Sequence, residues 1–206
     1  MRKSLRLFAL MVLCGIALAQ DFKNCPPEGD ARSAATRALN RLKNRETAPA
    51  QEQINQAVTL AALLRSGDDR GRWKVKDGAE IVGYVWDVKP GGIESCNCHA
   101  SKVEDRDTHV EIVLDPMEGS AATRRVITEV TPRWRAKMAA QGVNWSTRAL
   151  CDKFKGRWVC IQGWLLLDVE HMGEAENTAP GRPRNWRATV WEIHPITNIE
   201  TTQRPR

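Results

Sequence analysis

Asp107, His109 and Glu111 alternate along one stretch of the chain. Successive side chains of a strand point to opposite faces, so these three would emerge together from the face opposite Val110 and Ile112. Glu192 and His194 stand in the same relation to each other. If Trp191 and Ile193 turn into a core, both polar groups leave it on one side, and His171 lies in the loop leading to that strand. Carboxylates and imidazoles gathered in this way can hold a divalent metal, or act as a general base and its partner. Asp107, His109, Glu111 and His194 are the candidates for catalysis. His109, His171, Glu192 and His194 are those for metal ligation.

The same alternation also marks the solvent side of any half-buried strand. No H-E-x-x-H, G-x-S-x-G, P-loop or zinc-deaminase pattern accompanies it, so motif spacing leads to an expectation of no metal and no cofactor. Cys96-Asn97-Cys98-His99 brings two thiols and an imidazole together. It lacks the second ligand pair of a zinc site, and a C-x-x-C redox pair is absent. Disulfides are expected instead, with Cys151 pairing with Cys160 across a helix-to-strand turn and Cys25 pinning the N-terminal segment through Cys96 or Cys98, Cys98 being preferred.

Eight Trp accompany a single Tyr. Val159, Ile161, Leu165 and Leu167 claim one face of their strand, which leaves Trp158 and Trp164 on the other, either covered by the N-terminal segment or exposed. Exposed Trp beside Arg182, Arg184 and Arg187 would stack and pair with a polymeric ligand.

The elements that must carry these residues follow from periodicity. Residues 30–45 and 50–65 have apolar groups at helical spacing and form an arm that Gly67 ends. From Trp73 the period shortens to two. Strands are expected over residues 79–88, 108–114, 125–131, 157–167 and 186–193. A hairpin at Lys89-Pro90-Gly91-Gly92 should return residues 93–98, and helical segments are expected over 132–140 and 144–155.

Three strands, a helical segment and two strands resemble the OB-fold, a five-stranded Greek-key barrel with a helix between strands three and four. The expected architecture is therefore mainly β: a small OB-like barrel over residues 72–206, with a helical arm over residues 20–71. The segments Trp191-Glu192-Ile193-His194-Pro195-Ile196-Thr197 and Gly91-Gly92-Ile93-Glu94-Ser95-Cys96-Asn97-Cys98 are similar to stretches of uncharacterised secreted bacterial proteins, a resemblance that implies no known activity. Secreted enzymes of the thermonuclease type also resemble the arrangement in having an OB barrel with acidic and Arg side chains, but none of their motifs matches residue by residue.

Arg2, Lys3 and Arg6 precede an apolar run that ends in Ala17-Leu18-Ala19. This is the pattern of a secretory signal over residues 1–19, cleaved near Ala19, and the mature chain is expected to be secreted or periplasmic with no membrane span. The 206 residues carry 31 Lys and Arg against 25 Asp and Glu. Removing the three basic groups of the leader leaves 28 against 25, which weakens the case for a dedicated nucleic-acid binder. The remaining charge is uneven: residues 20–120 hold 14 basic and 17 acidic groups, residues 121–206 hold 14 and 8. Composition excludes collagen, coiled coil and wholesale disorder. The leading expectation is a non-catalytic binding module for a nucleic acid, a glycan or an envelope protein. The alternatives are a metal-dependent hydrolase, such as a phosphodiesterase, and a structural envelope protein.

Overall fold

The computed structural model describes residues 24–205, so the expected leader, its expected cleavage site and Cys14 lie outside the described residues. Its centre is a closed barrel of five strands: β1 (Gly78–Pro90), β2 (Thr108–Val113), β3 (Val126–Val130), β4 (Trp158–Leu167) and β5 (Trp191–Thr201), in the spatial order β1-β2-β3-β5-β4. The strand order and the helices between β3 and β4 are those of the expected OB-like barrel.

Closure depends on β1. Its first half pairs with β4 and its second half with β2, and a register shift between Val85 and Asp87 bends it from one neighbour to the other. Gly163 gives β4 a comparable bend. A Cβ there would sit 2.3 Å from the carbonyl oxygen of Pro195, so only glycine lets β4 and β5 approach this closely.

Val110, Ile112, Val126, Val130, Ile161, Leu165, Trp191 and Ile193 fill the interior. Each strand therefore turns one set of alternate residues inward and delivers its neighbours to the outer surface. Helix α3 (Pro132–Ala140) begins where the Thr131 hydroxyl caps Trp134 N, with Pro132 at the first helical position. Helix α4 (Thr147–Phe154), capped by Ser146, closes one end with Leu150 and Phe154. Among the described residues, no helix is long and apolar enough to cross a membrane.

The arm is less helical than its periodicity predicts. Helix α1 (Ala34–Lys43) forms behind the Ser33 cap, but residues 50–65 break into a 3-10 turn and the short α2 (Leu60–Leu63). The Asn55 carboxamide accepts a hydrogen bond from Ala57 N, and Ile54 pairs with Gly78 in strand fashion, so local polar bonds override helix periodicity there. The arm covers Trp164. The Arg45 guanidinium lies 4.7 Å from the centre of the ring, whose Nε1 donates to Thr47 O at 2.6 Å.

Cys25 and Cys98 form a disulfide across a separation of 73 residues. Closing a loop of that length stabilises a fold by about 4 kcal/mol in the chain-entropy account. Residues 93–98 accordingly do not return as a hairpin strand. They form a 3-10 turn, with Cys98 and His99 in the left-handed region at φ 50° and 51°. Cys151 and Cys160 are unpaired, contrary to expectation. Cys151 packs from α4 against the core, whereas Cys160 lies on β4 between inward-facing Val159 and Ile161 and so turns outward.

Candidate functional site

The outward residues of β2, β3 and β5 meet in one polar cluster. Thr108 and Val110 turn away from the cluster, whereas Asp107, just before β2, and His109 face it; Glu129 is directly opposite His109 on β3. Thr128 pairs with Ile193, which puts Glu192 and His194 of β5 beside Glu129. Three elements then roof the cluster. The end of α1 brings Lys43, the turn after β1 brings Glu94 and Cys96, and the loop before β5 brings Asp168, His171, Trp186 and Arg187. Asp107, Glu129, Glu192, His194, Lys43 and Arg187 are all at least 95% buried.

Each roofing segment is tied in place by side-chain hydrogen bonds. Asn40 Nδ2 donates to Ser95 Oγ at 3.1 Å, and Asn44 Nδ2 to Cys96 O at 2.9 Å, which locks the Cys96 turn to α1. Asn97 Nδ2 donates to Asp107 Oδ2 at 3.0 Å. The loop before β5 is held by Arg187, whose Nη1 donates to Asp168 Oδ2 at 2.9 Å, Nε to Thr189 O at 2.8 Å, and Nη2 to Glu192 Oε1.

His194 is the hub. Its Nδ1 is 3.3 Å from Glu192 Oε2, a geometry in which a neutral imidazole donates from Nδ1 and keeps its lone pair on Nε2. Nε2 faces Asp107 Oδ2 at 3.8 Å and makes no hydrogen bond, and Glu129 Oε2 lies 3.7 Å from Nδ1. Asp107 Oδ1 and Glu129 Oε2 are likewise buried without a hydrogen-bond partner. One ligand atom from each of Asp107, Glu129 and His194 lies within 4.8 Å of the others. These separations exceed hydrogen-bond length. The Nε2–Asp107 Oδ2 separation comes within a few tenths of the roughly 3.4 Å expected between two N or O ligands on one tetrahedral ion with bonds of about 2.0–2.2 Å, whereas the 3.7 Å approach of Glu129 is to the Nδ1 edge of the ring.

The electrostatics agree with the geometry. Five carboxyl groups, Glu94, Asp107, Glu129, Asp168 and Glu192, gather around two cations, Lys43 and Arg187, in a largely buried space. Burial raises the Glu129 carboxyl well above its ordinary range, and Glu192, Asp107 and Glu94 push it further. Burial raises Asp107 too, against the pull of His194. Burial alone would lower Lys43, but Glu94 and the other acids hold its ammonium well above the usual value. His109, desolvated, is pushed down to about 4 and is a neutral imidazole at neutral pH.

The cluster opens to solvent through a cavity of about 480 Å³ walled by Lys43, Glu94, His109, Glu129, His171 and Trp186. Trp186 is the aromatic side chain of the site: His109 stacks on it at 6.1 Å between ring centres, and His171 meets it edge-on at 5.4 Å.

Asp107, His109, His171, Glu192 and His194 are thus brought together as their spacing suggests. Glu111 is not, because its carboxylate is taken by Lys89 and by Arg125 at 3.0 Å. Arg187 does not contact ligand space; it is fully buried and orients Glu192. Trp164 lies under the arm, and Trp158 is half-buried between Tyr84 and Arg204. Arg182 and Arg184 are exposed, pair with no acidic group among the described residues and line a neighbouring cavity of about 490 Å³ that shares Glu170 with the first. His99 turns away to Asp30 at 2.8 Å.

Sequence reasoning missed Lys43, Glu94, Asp168 and Glu129. The first three sit outside strand periodicity. Glu129 had a signal, being the lone charge in the apolar run Val126-Ile127-Thr128-Glu129-Val130, all of it buried. No protein family, curated protein or solved structure matches the chain.

Proposed function

We propose that the protein is a divalent-metal-dependent hydrolase of anionic esters, with phosphodiesters the first substrate class, and that it works outside the cytoplasm. The observation that carries this reading is the buried convergence of Asp107, Glu129 and His194, each of which keeps one buried polar atom without a hydrogen-bond partner. His194 is built as metal-ligating imidazoles are, with one ring nitrogen donating to a carboxylate and the other left to the ion. A divalent ion there would take up the lone pairs of the crowded carboxyl groups and the imidazole, and acidify a bound water toward neutrality. Neutral His109, between Glu129 and the cavity, is placed to accept or return a proton. Lys43, its ammonium held by Glu94 at 2.6 Å, adds positive potential to the cavity wall that an anionic ester would meet. The Cys25–Cys98 disulfide supports an oxidising compartment.

The test is metal content of the purified protein, with phosphodiesterase activity measured before and after chelation. The proposal requires about one or more equivalents of bound divalent metal, chelator-sensitive turnover, and loss of both in His194→Ala and Glu129→Gln. A protein that takes up no metal when offered zinc, manganese or calcium would overturn it.

A second reading, a polyanion-binding module, is favoured by the unpaired Arg182 and Arg184 beside the cavity mouth. Affinity for a polyanion would then fall steeply with salt. The Arg182→Ala/Arg184→Ala variant would reduce the slope of log K against log salt by about 2, one for each phosphate that the two guanidinium groups neutralise. An unchanged slope would remove this reading.

A further inference from the structure

We infer that the cluster holds two cations rather than one, the second bound by Cys96 and Glu94 and bridged to the first by Asp107. This deepens the metal-dependent reading and rests on it. Cys96 is 99% buried and is not part of the disulfide. Its Sγ lies 3.5 Å from Glu94 Oε2 and 3.5 Å from Asp107 Oδ2. A thiol carries one proton and cannot serve both oxygens, of which Glu94 Oε2 already accepts from Lys43 at 2.6 Å and Asp107 Oδ2 from Asn97 at 3.0 Å.

A cation held by all three groups would give the sulfur and both oxygens one common partner. With a metal–sulfur bond of about 2.3 Å and metal–oxygen bonds of about 2.0–2.2 Å, tetrahedral ligands stand about 3.6 Å apart from sulfur to oxygen, close to both observed contacts. Asp107 belongs to both triads, and its Oδ1 is the buried oxygen without a hydrogen-bond partner. Carboxylate-bridged pairs of metal ions about 3.5–4 Å apart are a recurring hydrolytic arrangement, one ion on the attacking oxygen and one on the leaving oxygen. On binding, the Cys96 proton is released to solvent, and the thiolate adds one negative charge.

The environment of Cys96 matches that role. Its turn is fixed by Asn40, Asn44 and Asn97 rather than by its own side chain. The neighbouring Cys98 is consumed by the disulfide, so the C-x-C pair divides its duties: one sulfur anchors the arm, the other faces the metal cluster.

Titration of the metal-free, disulfide-intact protein with cobalt(II) tests the inference. The expected result is two equivalents bound and a near-ultraviolet thiolate-to-cobalt absorption, retained in the Cys151→Ser/Cys160→Ser variant, whose sole free thiol among the described residues is Cys96. In Cys96→Ser the band disappears. The double variant decides the matter even if Cys96→Ser fails to fold. One equivalent without the band would overturn the second site and leave the hydrolase reading intact. No cobalt uptake would overturn both.

Discussion

Arg187 shows how much of the site depends on a residue that never touches its ligand. Its guanidinium is fully buried between Asp168 and Glu192, which hold it in its charged form despite burial. Glu192 in turn receives the His194 Nδ1 proton, so one guanidinium sets the tautomer of the central imidazole through one intermediary. Arg187→Met strands two buried carboxylates, and breaking a buried pair in this way costs about 3–5 kcal/mol. Urea denaturation of the metal-free variant should show a loss of that size; a change below about 1 kcal/mol would mean that water reaches the pair. At this scale the sequence is half legible. Alternation identifies Asp107, His109, Glu192 and His194 as one group, because period-two geometry is local. Arg187 looks like a surface group in the sequence and nothing singles out Lys43, because a cation's partner depends on contacts between distant segments.

The elements that matter most are the barrel face and the segments laid over it. The strands are largely legible, since inward Val, Ile and Leu recur every second residue. The roof is not, because the turn at residues 95–99 and the loop at 168–190 are held by side-chain hydrogen bonds and a disulfide, which leave no periodic trace. Trp186, expected to open the last strand, instead lies in that loop and forms a cavity wall. The loop carries its own pH sensitivity. His171 is raised above the ordinary histidine value by its hydrogen bond to Asp168, with burial opposing, while Asp168 is driven far below the usual carboxylate range. A raised histidine contributes stability that is fully present below about pH 6.5 and lost as pH rises through the folded-state value. Thermal denaturation of metal-free wild type between about pH 6 and 9 should therefore show a decline that His171→Asn lacks. Parallel curves for the two proteins would show that the Asp168–His171 pair adds nothing to folding.

For the whole molecule, the barrel supplies a rigid face, the arm and loop turn that face into a buried ionic chamber, and the Cys25–Cys98 bridge ties the start of the arm to the chamber wall. Such a chamber is costly for a fold held by hydrophobic burial alone, because unbalanced charge is expensive away from water. On the proposed reading a cation at its centre would make the arrangement favourable and link binding to stability, each tenfold excess of ion over its dissociation constant adding about 1.4 kcal/mol. The most direct measurement is an anomalous difference map from crystals grown with zinc or manganese. The account predicts a peak about 2.0–2.2 Å from His194 Nε2 and from one oxygen each of Asp107 and Glu129. A map with no peak in the chamber, or with peaks confined to exposed surface carboxylates, would contradict it.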